Sequence, residues 1–200
     1  MVRTDAKLTR RARQDVLLDS AAALLEAGGA TAVTMEAVAS HAGVSRPLVY
    51  KHFPNRDALV VALFGRESAA FDAEVATALG EVSGRGLDAV VRTSAEAIVE
   101  GFGRRRRVLG PLLQGDSIDP ARRRAQRERT RRNNRWYRDL VVTECGIAPE
   151  RAQVAVTVMF GGLVALISNG IARLGDDERA QVIDAYVEMV MGGLDRLTRG

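Results

Sequence analysis

Cysteine is almost missing from this chain: Cys145 stands alone among 200 residues. One thiol excludes an internal disulfide framework and fits a reducing cytoplasm. Histidine is nearly as scarce, and His41 and His52 cannot build a metal site with a single distant cysteine. Lysine is confined to Lys7 and Lys51; every other basic residue is arginine, which with the abundant Ala, Gly and Val points to a GC-rich bacterial genome. No P-loop, nucleophile elbow or dinucleotide fingerprint occurs. Gly101-Phe102-Gly103 and Gly161-Gly162 read as helix-end or close-packing glycines. No enzyme activity, metal or cofactor is expected. The opening MVRTDAKLTRRARQD has no apolar run of the signal-peptide kind, so residues 1 to about 9 are expected to form a disordered basic arm. Strand-like alternation, internal repeats and low-complexity tracts are also missing, apart from arginine clusters.

What is present is helical periodicity, and nine helices are expected. The first runs from about Thr9 to Ala27, with Ala12, Val16, Ala21, Leu24 and Leu25 as its buried stripe. Two short helices follow and are treated below. A fourth begins at Asn55, a good N-cap, and runs to about Leu79. The fifth spans about Gly86–Phe102, and a sixth holds Val108, Leu109, Leu112 and Leu113, kinked or broken at Pro111. Asp119-Pro120 opens a seventh, ended by Gly146. The eighth covers Pro149–Leu174, and the ninth starts at Asp176, with acids at its positive dipole end.

The stretch Thr34–Arg56 organises the rest. Thr34 can N-cap one short helix, Ser45 a second, and Gly43 sits where a helix end favours left-handed geometry. Ala39 lies four residues before Gly43 and allows close crossing; Val49 lies six after it and can plug the gap. That spacing is a helix-turn-helix pattern, whose second helix can enter a DNA major groove. Its outer face carries Arg46, Pro47, Tyr50 and Lys51.

The segment AGVSRPLVYKHFPNRDAL resembles the DNA-binding signature of the tetracycline-repressor-like (TetR) family of bacterial transcriptional regulators, from about Val16 to Leu63. Tyr50, His52 and Phe53, with Arg56, are the most family-specific part. Arg56 replaces a commoner lysine, and Pro47 sits where glycine is frequent. Beyond about residue 70 only the layout is similar. The resemblance implies a three-helix DNA-binding head over 1–56 and a helical effector-binding and dimerisation domain over 57–200, both all-α.

Each candidate has a bland alternative. Arg46 can donate to a guanine edge or simply be solvated. Pro47 and Tyr50 can meet thymine methyls, and Tyr50 can instead pack on the first helix; the resemblance favours DNA. Thr34, Lys51, His52 and Arg56 are assigned to phosphate, although His52 can equally cap or pack. Glu36 is assigned to the helix dipole rather than to a cytosine amine. For an effector pocket, the candidates are Phe102, Leu109, Leu113, Trp136, Tyr137 and Phe160, each of which could be ordinary core. Such a pocket suits an apolar or aromatic compound, and an anionic group on it could meet an arginine of the seventh helix.

Charge is unevenly spread. Residues 1–56 carry net +3, 57–100 net −5, 101–138 net +10 and 139–200 net −4. The basic head suits phosphate neutralisation. Arg104–Arg107 and the nine arginines from Arg122 to Arg138 are read as solvated faces. An anionic effector, extra nucleic-acid contact and an acidic partner are the sharper alternatives.

Residues 152–172 hold no charge, enough length to span a bilayer. Gln153, Thr157, Ser168, Asn169 and three glycines argue instead for burial against another protein surface. The eighth and ninth helices of two copies are expected to make a four-helix dimer interface. The expectation is a cytoplasmic homodimeric repressor, released from a palindromic double-stranded operator by a small-molecule effector, with no membrane partner. The alternatives are an effector-free DNA-binding structural protein and a regulator anchored through residues 152–172.

Overall fold

The computed structural model describes residues 9–114 and 120–199, with side chains throughout except at 111–114, 120–123, 125 and 126. The arm over 1–8, the Asp119 cap and the side chains of Leu112, Leu113, Arg122 and Arg123 therefore lie outside the described residues. The described elements are all helical: α1 Arg10–Gly28, α2 Met35–His41, α3 Arg46–His52, α4 Arg56–Glu81, α5 Leu87–Gln114, α6 Pro120–Cys145, α7 Pro149–Ser168 and α8 Asp176–Arg199, with 3-10 turns at Ala30–Ala32 and Ile171–Arg173.

Two expected boundaries are corrected. The expected fifth and sixth helices are one element, α5, which runs through Pro111 to Gln114. A proline three residues from a helix end forfeits one late backbone bond, which the preceding turns tolerate. The expected eighth helix stops at Ser168 rather than Leu174, because Gly170 takes a left-handed φ of 92° and Asn169 closes the last turn.

The chain forms two compact units. One comprises Met1–Ser68 and Arg105–Arg122, the other Ala69–Arg104 and Arg123–Gly200. In the first, Thr9 caps α1 by accepting from the Ala12 amide at 3.2 Å. The buried face of α1 is Leu17, Leu18, Ala21 and Leu25. Val16, expected inside, is 37% exposed, since the run 17, 21, 25 sets the stripe one residue further round. Asn55 caps α4, accepting from the Ala58 amide at 2.8 Å. Arg66 of α4 reaches back to Asp19 of α1 at 2.7 Å and also pairs with Glu67 at 3.0 Å.

The second unit is built around Val91, Ala95 and Val99 of α5, Tyr137 and Val141 of α6, Val156 and Leu163 of α7, and Ile183, Tyr186 and Val187 of α8. The Tyr186 hydroxyl is buried and donates to the Met159 carbonyl at 2.9 Å, so the apolar seam between α7 and α8 leaves no phenol unpaired. Burial pushes the Tyr186 pKa up.

Helix α6 has two unlike faces. One carries Asn133, Trp136, Tyr137 and Leu140 towards the unit's interior. On the opposite side Arg127, Arg131, Arg132 and Arg135 are exposed, and none has an acidic partner among the described residues. At 1.5 Å per residue these four arginines cover roughly 12 Å of one helix face.

Helix α7 is long and apolar enough to cross a membrane by length and composition, a test that core helices of soluble proteins also pass. Its Val154, Val158 and Val164 are 63%, 68% and 61% exposed, as is Met189 of α8 at 73%.

Candidate nucleic-acid interface and cavity

The turn between α2 and α3 follows from three residues. Thr34, extended at φ −115° and ψ 155°, accepts from the Ala37 amide at 3.0 Å and starts α2. Gly43 takes φ 64°, where a side chain would be strained. That conformation lets the Gly43 amide reach the Ser40 carbonyl and the Val44 amide reach the Ala39 carbonyl at 3.0 Å. The two bonds together are a Schellman stop. Ser45 begins α3 in extended geometry, but its side chain makes no capping bond; its carbonyl takes the Leu48 amide at 3.0 Å instead. Ala39 and Val49 are 3% and 0% exposed, so the small residue and the plug meet inside as their spacing demands.

Fixing Val49 inside turns Arg46, Pro47, Tyr50 and Lys51 outwards. Tyr50 is 45% exposed and so does not pack away on α1. Arg46 lies 3.6 Å from Glu36 with both side chains exposed, a pair too solvated to hold it against a better partner. Thr34 is exposed; its oxygen serves the cap and its hydrogen remains available. Arg56 is more committed. Its Nε donates to the Val33 carbonyl at 2.7 Å and its Nη2 to the Ala30 carbonyl at 2.6 Å, tying α4 to the turn that precedes α2. His52 is half-buried, and its Nδ1 is enclosed without a partner. Burial first, then Arg10, Lys51 and Arg13, lowers its pKa, so the ring is neutral at pH 7.

The second unit holds a half-open cavity of about 520 Å³. Phe71, Val75 and Leu79 of α4, Val90 and Ile98 of α5, Trp136, Tyr137 and Leu140 of α6 and Phe160 of α7 line it. The Tyr137 ring packs edge-on against Trp136 at 4.7 Å and Phe160 at 4.9 Å. Gly101 permits the Phe71 ring to approach, since a Cβ there would stand 3.0 Å from it. At the rim both oxygens of Asp72 accept from Arg129, at 2.7 and 2.6 Å, and the guanidinium also lies 5.4 Å from the Phe71 ring centre.

Residues 17–63 match the family described as bacterial regulatory proteins, tetR family. The head is therefore similar to the DNA-binding segment of that family. Over 65 residues it is 38% identical to the HTH-type transcriptional repressor KstR of Mycobacterium tuberculosis, a stretch that is 32% of this chain and 30% of that protein. The chain thus matches about a third of the length of that curated relative. The fold likeness extends much further. A TetR-like transcriptional regulator from Rhodococcus sp. RHA1 superposes with a TM-score of 0.70 at 20% identity, covering 94% of this chain and 99% of that one. The fatty acid degradation regulator FadR from Bacillus halodurans gives 0.70 at 14% identity, covering 89% and 94%. The chain accordingly has a TetR-like fold, and its residues 17–63 match the DNA-binding segment of that family.

Beyond the head, the structure brings together only part of the effector site expected from sequence. Trp136, Tyr137 and Phe160 line one cavity. Phe102 and Leu109 are not among its lining residues, and Leu109 is buried in the same unit as the head. Phe71, Val75, Val90 and Ile98 were unmarked in the sequence as lining, because their meeting depends on how α4 and α5 pack. The expected anion contact is also altered, because the arginine at this rim, Arg129, is already bound to Asp72.

Proposed function

We propose that the protein is a homodimeric transcriptional repressor that binds a palindromic operator through α3 and is released by a small molecule held in the cavity of the second unit. The exposed face of Arg46, Pro47, Tyr50 and Lys51, held outwards by buried Val49, carries the DNA half of this reading. Arg46 donates to a guanine edge, and Pro47 and Tyr50 contact thymine methyls. Lys51 and the Thr34 hydroxyl bind phosphate. A neutral His52 offers phosphate at most one N–H. Arg56 braces the approach to α2 and keeps Nη1, which lies 3.8 Å from Asp57, and the second Nη2 hydrogen to share with phosphate.

Exposed Val154, Val158 and Met189 support pairing through α7 and α8, where a groove of about 350 Å³ runs between the two helices. An apolar patch of this kind is the usual mark of a protein contact. Two-fold pairing requires inverted half-sites, roughly one helical turn or more apart. The repressor match and the aromatic cavity support effector control. Moving the population from 99:1 to 1:99 takes about 5.5 kcal/mol of preference for the free form, and operator must weaken effector binding equally. We assign the protein to the cytoplasm and give it no catalysis, metal or cofactor.

Selection of bound sequences from random double-stranded DNA tests the reading. An inverted repeat should be enriched. Uniform, sequence-blind recovery that collapses with salt would mean a DNA-binding structural protein instead.

A further inference from the structure

The side chains with polar atoms in the cavity lining are Asp72, Ser83, Asn133, Trp136 and Tyr137, and Tyr137 is the one whose hydrogen the structure assigns. Ser94 of α5 is buried, and its hydroxyl donates to the Val90 carbonyl. A hydroxyl has one hydrogen to give. The contact between Ser94 Oγ and Tyr137 Oη, at 2.8 Å, must therefore use the tyrosine hydrogen. Tyr137 is left with an oxygen that can accept and nothing to donate. Burial raises its pKa, which keeps it a phenol near neutrality.

The rim is equally committed. Arg129 is paired through Nε and Nη2 with both oxygens of Asp72 and lies over the face of Phe71. An acidic ligand drawn to Arg129 would strand Asp72, only 27% exposed, beside a second negative charge. A cationic ligand drawn to Asp72 would displace Arg129, only 21% exposed, in the same way. Neither charge finds a free counterpart here, whereas the lining is predominantly apolar and aromatic.

Building on the reading of this cavity as the effector site, we infer that its ligand is an uncharged, mostly apolar molecule carrying a hydroxyl whose hydrogen is accepted by Tyr137 Oη. A buried acceptor discriminates strongly between a donor and its alkylated analogue, because the unmatched oxygen loses water and gains nothing.

Three probes on one ring scaffold separate the possibilities: 4-cyclohexylphenol, its methyl ether 4-cyclohexylanisole, and 4-cyclohexylbenzoate. Trp136 is the only tryptophan in the chain and lines the cavity, so its fluorescence reports occupancy in the full-length protein. The phenol should bind at least about tenfold more tightly than the ether or the acid. Tyr137→Phe should bring the phenol down to the ether's affinity while leaving the ether unchanged; a purely structural role for Tyr137 would weaken all three alike. Ser94→Ala frees the tyrosine hydrogen, so the ether should gain and the ratio should shrink from the other side. If wild-type protein bound phenol and ether equally, or the benzoate most tightly, the hydroxyl-donor inference would be wrong while the effector cavity stood. If none of the three altered Trp136 fluorescence up to its solubility limit, the cavity reading itself would fall, and this inference with it. The wild-type comparison decides even if a variant does not fold.

Discussion

His52 sits among Arg10, Arg13 and Lys51, with its Nδ1 shut away from water. Burial is the larger cause of its lowered pKa and the three cations add to it. In the unfolded chain the ring titrates near its ordinary value of 6.5. Between the two values the unfolded chain holds more protons, so stability rises with pH through that window and falls as pH drops below about 6.5. Urea midpoints at pH 7.5, 6.5 and 5.5 should decline more steeply for wild type than for His52→Gln. Parallel declines would remove His52 as the cause. Arg56 makes the complementary case. Arg56→Ala leaves the Val33 and Ala30 carbonyls unpaired, at a cost of about 1–3 kcal/mol in head stability. If the substitution lowered operator affinity but left the melting curve unchanged, the bracing role would be wrong.

Helix α3 is short, so its effects divide cleanly by residue. Arg46→Ala should cost roughly 1–3 kcal/mol on the selected operator and relax one position per half-site. Lys51→Ala should weaken all sequences alike and flatten the salt dependence of binding. If the ranking of operator variants survived Arg46→Ala, the arginine would not be reading a base. Gly43→Ala, at a positive φ, should destabilise the head by about 1–2 kcal/mol, read by urea denaturation.

The sequence made these elements legible because their signals are local. Thr9, Thr34 and Asn55 cap within three residues of themselves, and Gly43 stops α2 by its own backbone. Val16 lies outside because several faces of α1 are apolar enough to compete, and only packing chooses Leu17, Ala21 and Leu25. Pro111 leaves α5 unbroken for a different reason: its penalty falls near the end of the helix, where few backbone bonds remain to be lost. The cavity was half legible. Neighbours on one helix, Trp136 and Tyr137, could be anticipated together. Phe71 could not, since it reaches the site through an approach to Gly101 that no local pattern encodes.

At the scale of the whole molecule, the proposed dimer can be tested without damaging the protomer. Val158 and Met189 are 68% and 73% exposed, so Val158→Asp and Met189→Asp should leave the thermal melt of a protomer intact while light scattering reports monomer. Val187→Asp is the contrast, for a charge at a position 1% exposed should unfold the second unit. A dimer that persisted in both surface variants would move the interface elsewhere.

The two-faced construction of α6 has a practical consequence for anyone purifying the protein. Arg127, Arg131, Arg132 and Arg135 are exposed and have no ion-pair partner among the described residues. A lysate offers such a stripe an excess of polyphosphate chains, and low-salt buffer leaves the attraction unscreened. Material from a gentle preparation should therefore absorb too strongly at 260 nm, and a high-salt or heparin step should restore the protein spectrum. An operator measurement made before that step would count contaminant as competitor.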